Sequence, residues 1–151
     1  MKKLAISFLI SLLAVSVPIT ANAAIPEVTE EEIAEEIYQG ELQLLACVVY
    51  AEAGNQDMTG KRLVAATILN RVDSPQYPNT ITEVIYQPNQ FSCVKDGNLD
   101  KAFWNVTDDC FTAVAEELAQ RTDNSILYFT AGGYGQYGTP AYQHGAHYFS
   151  R

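Results

Sequence analysis

Two stretches in the first half of the chain repeat apolar residues at helical spacing. Leu42, Leu45 and Val49 follow one another at steps of three and four, which predicts a helix over residues 41–53. A second helix is predicted over residues 59–72, which ends at the segment SPQYP because its two prolines cannot continue a helix. Both patterns indicate helices that share one core.

Two capping boxes predict shorter helices. Thr29 followed by Glu32 opens a helix that Gly40 is expected to end, and Thr80 followed by Glu83 opens a helix over TEVIYQ. In a capping box the hydroxyl and the carboxylate each accept a hydrogen bond from a backbone N–H that a helix start leaves free.

The second half of the chain combines one further helix with a small β element. Residues 88–98 have turn chemistry and no period, so a loop is expected there. Residues 107–121 have acidic residues in the first turn and an arginine in the last, which is typical of a helix. Residues 126–130 and 147–149 are apolar and aromatic and predict two strands, joined by the glycine-rich loop 131–145. The predicted fold is a mainly α (α+β) single domain with a small β-hairpin element.

The first 23 residues have the pattern of a secretory signal peptide. Lys2 and Lys3 precede an apolar run over residues 4–17, and Ala-Asn-Ala at 21–23 is a cleavage site before Ala24. A retained membrane anchor is the alternative, although the apolar run is short for a span. Residues 1–23 are therefore predicted as a signal peptide and residues 24–40 as an acidic lead-in, in a protein secreted to the cell envelope or beyond.

The charge of the chain disfavours nucleic acid as a partner. The formal net charge is −9, and removal of Lys2 and Lys3 would leave seven basic against eighteen acidic residues. No basic patch is available to neutralise phosphates. An acidic exported protein is also repelled by anionic envelope polymers, so its recognition of them is expected to depend on short-range contacts.

Three cysteines allow one bridge. Cys47 lies in an apolar helical run and is expected to pack as a small hydrophobic residue. Cys93 and Cys110 flank a polar segment, so they are the pair predicted to form a disulfide in an exported protein.

One carboxylate lies on an apolar helix face. The stripe Leu45, Val49, Glu52 places Glu52 with the core-facing residues. Burial of a carboxylate raises its pKa, and a carboxyl that stays protonated near neutral pH is suited to general acid catalysis. The alternative is a glutamate that points to solvent where the helix ends.

Amide and aromatic residues elsewhere are candidates for sugar binding. Asn70 falls on the buried face of the second helix, where it either binds substrate or donates to a loop backbone. Gln90 and Phe91 lie in the loop 88–98, and Tyr148 lies in the last strand. No cofactor or metal is expected. His144 and His147 form H-x-x-H, but in a loop beside a strand rather than on a helix.

Five motifs together give the chain a family resemblance. They are AEA around Glu52, a helix ending in LNRV at residues 69–72, a YP-T turn at residues 77–80, VIYQPNQFS at residues 84–92 and GAHYF at residues 145–149. With them, residues 42–149 resemble the cell-wall hydrolase family typified by the spore cortex-lytic enzyme SleB. The resemblance implies a lysozyme-like domain over residues 41–151, peptidoglycan as substrate, and cleavage of the β-1,4 bond between N-acetylmuramic acid and N-acetylglucosamine. It also implies that Glu52 is the catalytic acid.

The reaction depends on whether a second carboxylate exists. Glycosidases ordinarily use two, and Asp57 and Asp96 fall in turns rather than on an apolar face. A single glutamate fits a lytic transglycosylase, in which no water is activated. The alternatives are lysozyme-type hydrolysis assisted by Asp57 or Asp96, a non-catalytic glycan-binding module, and a zinc amidase that uses His144 and His147.

Overall fold

The computed structural model describes residues 28–151, so the signal peptide and its cleavage site lie outside the described residues. Six helices and three strands follow in chain order: α1 Glu30–Ala53, α2 Met58–Asp73, α3 Ile81–Ile85, α4 Ser92–Lys95, α5 Asn98–Asn105, α6 Asp108–Ala119, β1 Tyr128–Ala131, β2 Pro140–His144 and β3 His147–Ser150. The expected mainly α fold with a small antiparallel sheet is confirmed. In the described part of the chain, every helix is too short or too polar to cross a membrane.

Helix α1 runs without a break where two helices were expected. The Thr29–Glu32 capping box opens it as predicted, with Glu32 N–H donating to Thr29 Oγ1 over 3.2 Å. Gly40, expected to end a first helix, lies inside α1, so that boundary was wrong. A glycine in a helix interior costs only about 1 kcal/mol, and packing beyond it offsets that cost. The residues before Gly40 are exposed, whereas those from Leu45 onwards enter the core.

The helical core forms around the second half of α1. Helix α2 packs against α1 and α6, and α3 contacts α1 and α2. Asp57 caps α2 by accepting from Gly60 N–H over 2.8 Å, and the Thr80–Glu83 box opens α3. Glu52 is thereby carried on a helix whose last two turns are held on several sides.

The segment after residue 88 is more ordered than expected. Helix α4 lies inside the predicted loop, α5 follows it, and β2 lies inside the predicted glycine-rich loop. The three strands have the order β1-β3-β2, with β3 antiparallel to both neighbours. Phe149 of β3 packs with Leu63 and Ala66 of α2, which joins the sheet to the helices. Strand β2 has no fully buried residue and depends on pairing with β3, so local sequence did not reveal it.

The three cysteines are free and buried, so the predicted bridge between Cys93 and Cys110 is corrected. Cys110 lies near Cys47, where α6 meets α1, and Cys93 lies near Glu52. Cys93 and Cys110 therefore have different neighbours in the fold, and their separation along the chain does not show this.

Candidate active site

Glu52 lies in the last turn of α1, half-buried, at the wall of a cavity of about 400 Å³. This central cavity lies between α1, the end of α2, the segment around α4, and the sheet. Its lining residues are Glu52, Arg71, Asn89, Gln90, Phe91, Ser92, Lys95, Phe129, Thr130, Ala131 and His147. The volume falls within the range of small-molecule sites in proteins.

Two neighbouring cavities extend the central one into a groove. Towards the end of α1, a cavity of about 550 Å³ is lined by Tyr50, Ala51, Glu52, Gly54 and Asn55. On the other side, a cavity of about 210 Å³, here called the tyrosine cavity, is lined by Tyr128, Tyr137 and Tyr148 among others. It shares five lining residues with the central cavity: Arg71, Asn89, Gln90, Phe129 and Thr130. Glu52 therefore stands between two parts of one groove.

Burial raises the pKa of Glu52 above its ordinary value. The thiol and the backbone N–H of Cys93 lie close enough to favour the charged form and partly oppose that effect, while the negative charge of Asp96 adds to it. A carboxyl in this environment holds its proton to higher pH than an exposed glutamate. Glu52 can therefore donate a proton to a bound group and take one back.

The structure brings four of the five candidate site residues together. Gln90 and Phe91 line the central cavity beside Glu52, and Tyr148 lines the tyrosine cavity, which also contains Gln90. Asn70 lies elsewhere. Its amide donates to the carbonyls of Asp123 and Ile126 over 2.8 and 2.9 Å.

Asn70 therefore makes the hydrogen bonds to a loop backbone that were the alternative in the sequence, and it lines neither the central nor the tyrosine cavity. The helical period placed its side chain on the buried face, but it did not show that a loop 53 residues away supplies the acceptor. Both acceptors belong to the segment that leads into β1, so Asn70 holds that segment against α2.

Two groove residues were not singled out for substrate binding. Arg71 is buried at the end of α2 and lines both the central and tyrosine cavities. His147 is 5% exposed and lines the central cavity. Its ring packs edge-on against that of Phe129, with 5.2 Å between the ring centroids. Burial, and then the nearby His144, lower the pKa of His147, so its ring binds a proton less readily than an exposed histidine does. Arg71 lies in the motif LNRV and His147 in the motif GAHYF, and their places in these family-like motifs are the sequence feature that could have identified them.

The other candidate carboxylates, Asp57 and Asp96, form hydrogen bonds within the protein. Asp57 caps α2 and bonds His144 Nε2 over 2.8 Å, which ties α2 to the β2–β3 turn. Asp96 accepts from the backbone N–H and the side-chain amide of Asn98, both over 2.9 Å. Neither lines the central cavity or the cavity at the end of α1.

The two histidines do not form a metal site with other groups. His144 bonds Asp57, whereas His147 Nδ1 is buried without a partner. Within residues 28–151, no three or more His, Cys, Asp or Glu side chains are placed to hold a metal ion.

The chain is similar in sequence to known proteins of one family. The chain is 44% identical over 93 residues to a spore cortex-lytic enzyme of Bacillus cereus, which covers 60% of this chain and 35% of that protein. It is 42% identical over 59 residues to the spore cortex-lytic enzyme of Bacillus subtilis, covering 39% of this chain and 19% of that protein. The matched segments thus span 35% or less of these relatives' own lengths.

Two solved structures are similar over most of the chain. The catalytic domain of the germination-specific lytic transglycosylase SleB from Bacillus anthracis has a TM-score of 0.64 and 29% identity, covering 75% of this chain and 95% of that domain. The catalytic domain of Bacillus cereus SleB has a TM-score of 0.65 and 30% identity, covering 75% and 91%. The sequence profile described as Cell Wall Hydrolase matches residues 55–150, beginning just after Glu52. The resemblance inferred from the sequence is confirmed, and this chain belongs to the cell wall hydrolase family.

Proposed function

We propose that the protein is a lytic transglycosylase that cleaves peptidoglycan between N-acetylmuramic acid and N-acetylglucosamine, with Glu52 as general acid and then general base. Family membership supports peptidoglycan as substrate. The similar Bacillus anthracis domain is itself described as a lytic transglycosylase.

The reaction needs one proton-carrying group. Glu52 donates its proton to the glycosidic oxygen as the bond to C1 of the muramoyl residue breaks, and the N-acetylglucosamine leaves. The Glu52 carboxylate then takes the proton from the C6 hydroxyl of the same muramoyl residue, and O6 bonds to C1. The product is a 1,6-anhydro-muramoyl end, no water is consumed, and Glu52 is protonated again.

A single observation carries this proposal. Among the described residues, Glu52 is the only carboxylate that lines the central cavity or the cavity at the end of α1. A hydrolase that follows the usual two-carboxylate route would need a second one there, as base for water or as nucleophile. Intramolecular attack by the C6 hydroxyl removes that requirement.

The shape of the groove suits a polymer. Cavities lie on both sides of Glu52, so sugar residues can occupy the groove before and after the bond that breaks. Gln90 supplies amide donors, and Phe91 and Tyr148 supply apolar ring surface. We assign these three residues to substrate binding. We also propose that the chain is exported to the cell envelope, where this substrate lies.

Hydrolysis is the second candidate, because one observation favours it. Asp96 is near enough to Glu52 for its charge to raise the pKa of that carboxyl. A movement that freed Asp96 from Asn98 would bring a second carboxylate towards the groove. The variant Asp96→Asn distinguishes the two routes, since a transglycosylase retains activity without that carboxylate.

Glu52→Gln tests the proposal directly. Glutamine keeps the size and polarity of the side chain but cannot transfer the proton, so cleavage of purified peptidoglycan should fall by at least about 10²–10⁴-fold. Glu116→Gln on the exposed face of α6 is the matched control and should leave cleavage unchanged. Near wild-type cleavage by folded Glu52→Gln protein would favour the glycan-binding alternative or another acid.

A further inference from the structure

The guanidinium of Arg71 is a buried charge without a carboxylate partner. The residue is 4% exposed, and none of the ion pairs found in residues 28–151 includes it. Buried charges are ordinarily paired. Here the charge is faced by the rings of Tyr77, Phe91 and Tyr128, whose centroids lie 5.3, 5.5 and 5.7 Å from the guanidinium carbon. Aromatic faces attract a cation but do not neutralise it.

One edge of this guanidinium is open to the groove. Nε donates to the carbonyl of Leu127 over 2.7 Å, and Nη1 donates to Gln90 Oε1 over 3.0 Å. For Nη2 the described residues supply no acceptor, and Nη2 is not among the enclosed polar atoms. Because Arg71 lines the central and tyrosine cavities, Nη2 is the guanidinium nitrogen left to donate to a group that enters them.

Gln90 adds a second donor beside the first. Its side-chain oxygen accepts from Arg71, so its Nε2 amide group points away from the guanidinium. Arg71 and Gln90 thus place a charged donor group and a neutral one on the wall of the groove, joined by a hydrogen bond. Both oxygens of a carboxylate accept hydrogen bonds, and those from a charged donor are the stronger class.

The local charge of the groove is opposite to that of the whole protein. The chain carries a formal net charge of −9. Nevertheless, no acidic residue described here lines the tyrosine cavity, and the central cavity contains Arg71 and Lys95 against Glu52 alone. An anionic group that is repelled by the outer surface is therefore attracted once it enters the groove.

We propose that Arg71, with the amide of Gln90, is a carboxylate-binding subsite that takes an acidic group attached to the muramoyl residue. The inference rests on the proposed function, because it assumes a peptidoglycan strand in the groove. The same chemistry has two sources in that polymer. One is the lactyl carboxylate of muramic acid where no peptide is attached, and the other is a carboxylate of the peptide stem.

The test compares four substrates with the wild-type protein. Stem-bearing and peptide-free glycan strands are each used as prepared and after their carboxylates have been converted to neutral methylamides. We expect neutralisation to lower kcat/KM by about 10- to 100-fold, as for the loss of one or two charge-assisted hydrogen bonds. Discrimination confined to peptide-free strands assigns the lactyl carboxylate, discrimination confined to stem-bearing strands assigns the stem, and discrimination on both shows that either is accepted. Equal kcat/KM on the acid and amide forms of both strands would overturn the inference.

Variants show whether Arg71 is the group responsible. Arg71→Met should cleave acid and amide forms equally well, while Arg71→Lys should keep part of the discrimination because it keeps the charge. Arg121→Met is the matched control, since Arg121 also donates to a backbone carbonyl but does not line the groove, and its discrimination should equal that of the wild type. Full discrimination by Arg71→Met would contradict the assignment. If Arg71→Met does not fold, Arg71→Lys decides instead, and discrimination equal to that of the wild type would contradict the assignment. Failure of the wild-type protein to cleave any of the four substrates would contradict the proposed function instead.

Discussion

Arg62→Met should destabilise the protein by about 3 kcal/mol, because it leaves the carboxylate of Glu117 buried and unpaired. Glu117 is 0% exposed in α6, and it accepts from Arg62 Nε of α2 over 2.8 Å and from Thr122 N–H over 2.9 Å. Breaking a buried pair typically costs 3–5 kcal/mol. The Arg62 side chain is 26% exposed, and Thr122 still stabilises the carboxylate, so the lower end of that range applies.

The double variant Arg62→Met, Glu117→Leu separates this cost from simple loss of packing. It removes both charges and leaves the backbone N–H and the hydroxyl of Thr122 without their acceptor; because Thr122 is exposed and water can replace Glu117, this costs about 1 kcal/mol. Urea unfolding followed by far-UV circular dichroism at one pH would measure both variants. The free energy of unfolding of a small protein falls by about 1–3 kcal/mol per molar urea, so a loss of about 3 kcal/mol lowers the urea midpoint by about 1–3 M. A loss below about 1 kcal/mol in Arg62→Met, or equal losses in the single and double variants, would refute the reasoning.

Three further predictions concern Glu52, Cys93 and Asp57. Burial raises the pKa of Glu52 above its ordinary value of 4.5, so protonation of Glu52 favours folding below about pH 4.5, and this contribution is lost as the pH rises through the folded pKa. Glu52→Gln should therefore have a higher Tm than the wild type at pH 7 and a similar Tm at pH 3, and an equal Tm difference at both would argue against burial. Cys93→Ala removes a group that favours the charged Glu52 carboxylate, so the alkaline limb of the pH profile of kcat/KM should move to higher pH. Cys93→Ser should keep that limb in place. An unmoved limb in both variants would exclude the contact between the Cys93 side chain and Glu52. Asp57→Ala should lower the free energy of unfolding in urea by about 1 kcal/mol because the helix cap is lost, and Asp57→Asn should lower it less. Both variants should still cleave peptidoglycan, and an inactive, folded Asp57→Asn would point to hydrolysis.

The sequence indicated Glu52 because helical period and residue type conflicted at that position. A carboxylate in register with Leu45 and Val49 is unusual unless it has a function, and the structure places it half-buried in a groove. Gln90 and Phe91 lie inside the family-like motif VIYQPNQFS, and they combine an amide with an aromatic ring in a predicted loop. Such residues are predictable because their signal is local.

Arg71 and Asn70 show what local signals cannot provide. Both occupy the end of α2 and both are buried, but one faces the groove and the other faces the segment before β1. Their partners, Leu127 and Ile126, lie more than 50 positions away, so only the packed fold separates a binding residue from a structural one. The same reason explains the unpredicted β2, which exists through pairing with β3.

The product of the reaction tests the central claim most directly. Purified peptidoglycan is digested by the wild-type protein in ¹⁸O-labelled water, and the soluble muropeptides are examined by mass spectrometry. If Glu52 acts alone on the muramoyl C6 hydroxyl, the new ends are 1,6-anhydro-muramic acid, one water lighter than reducing ends and free of ¹⁸O. Reducing muramic acid ends that contain ¹⁸O as the main product would contradict the account.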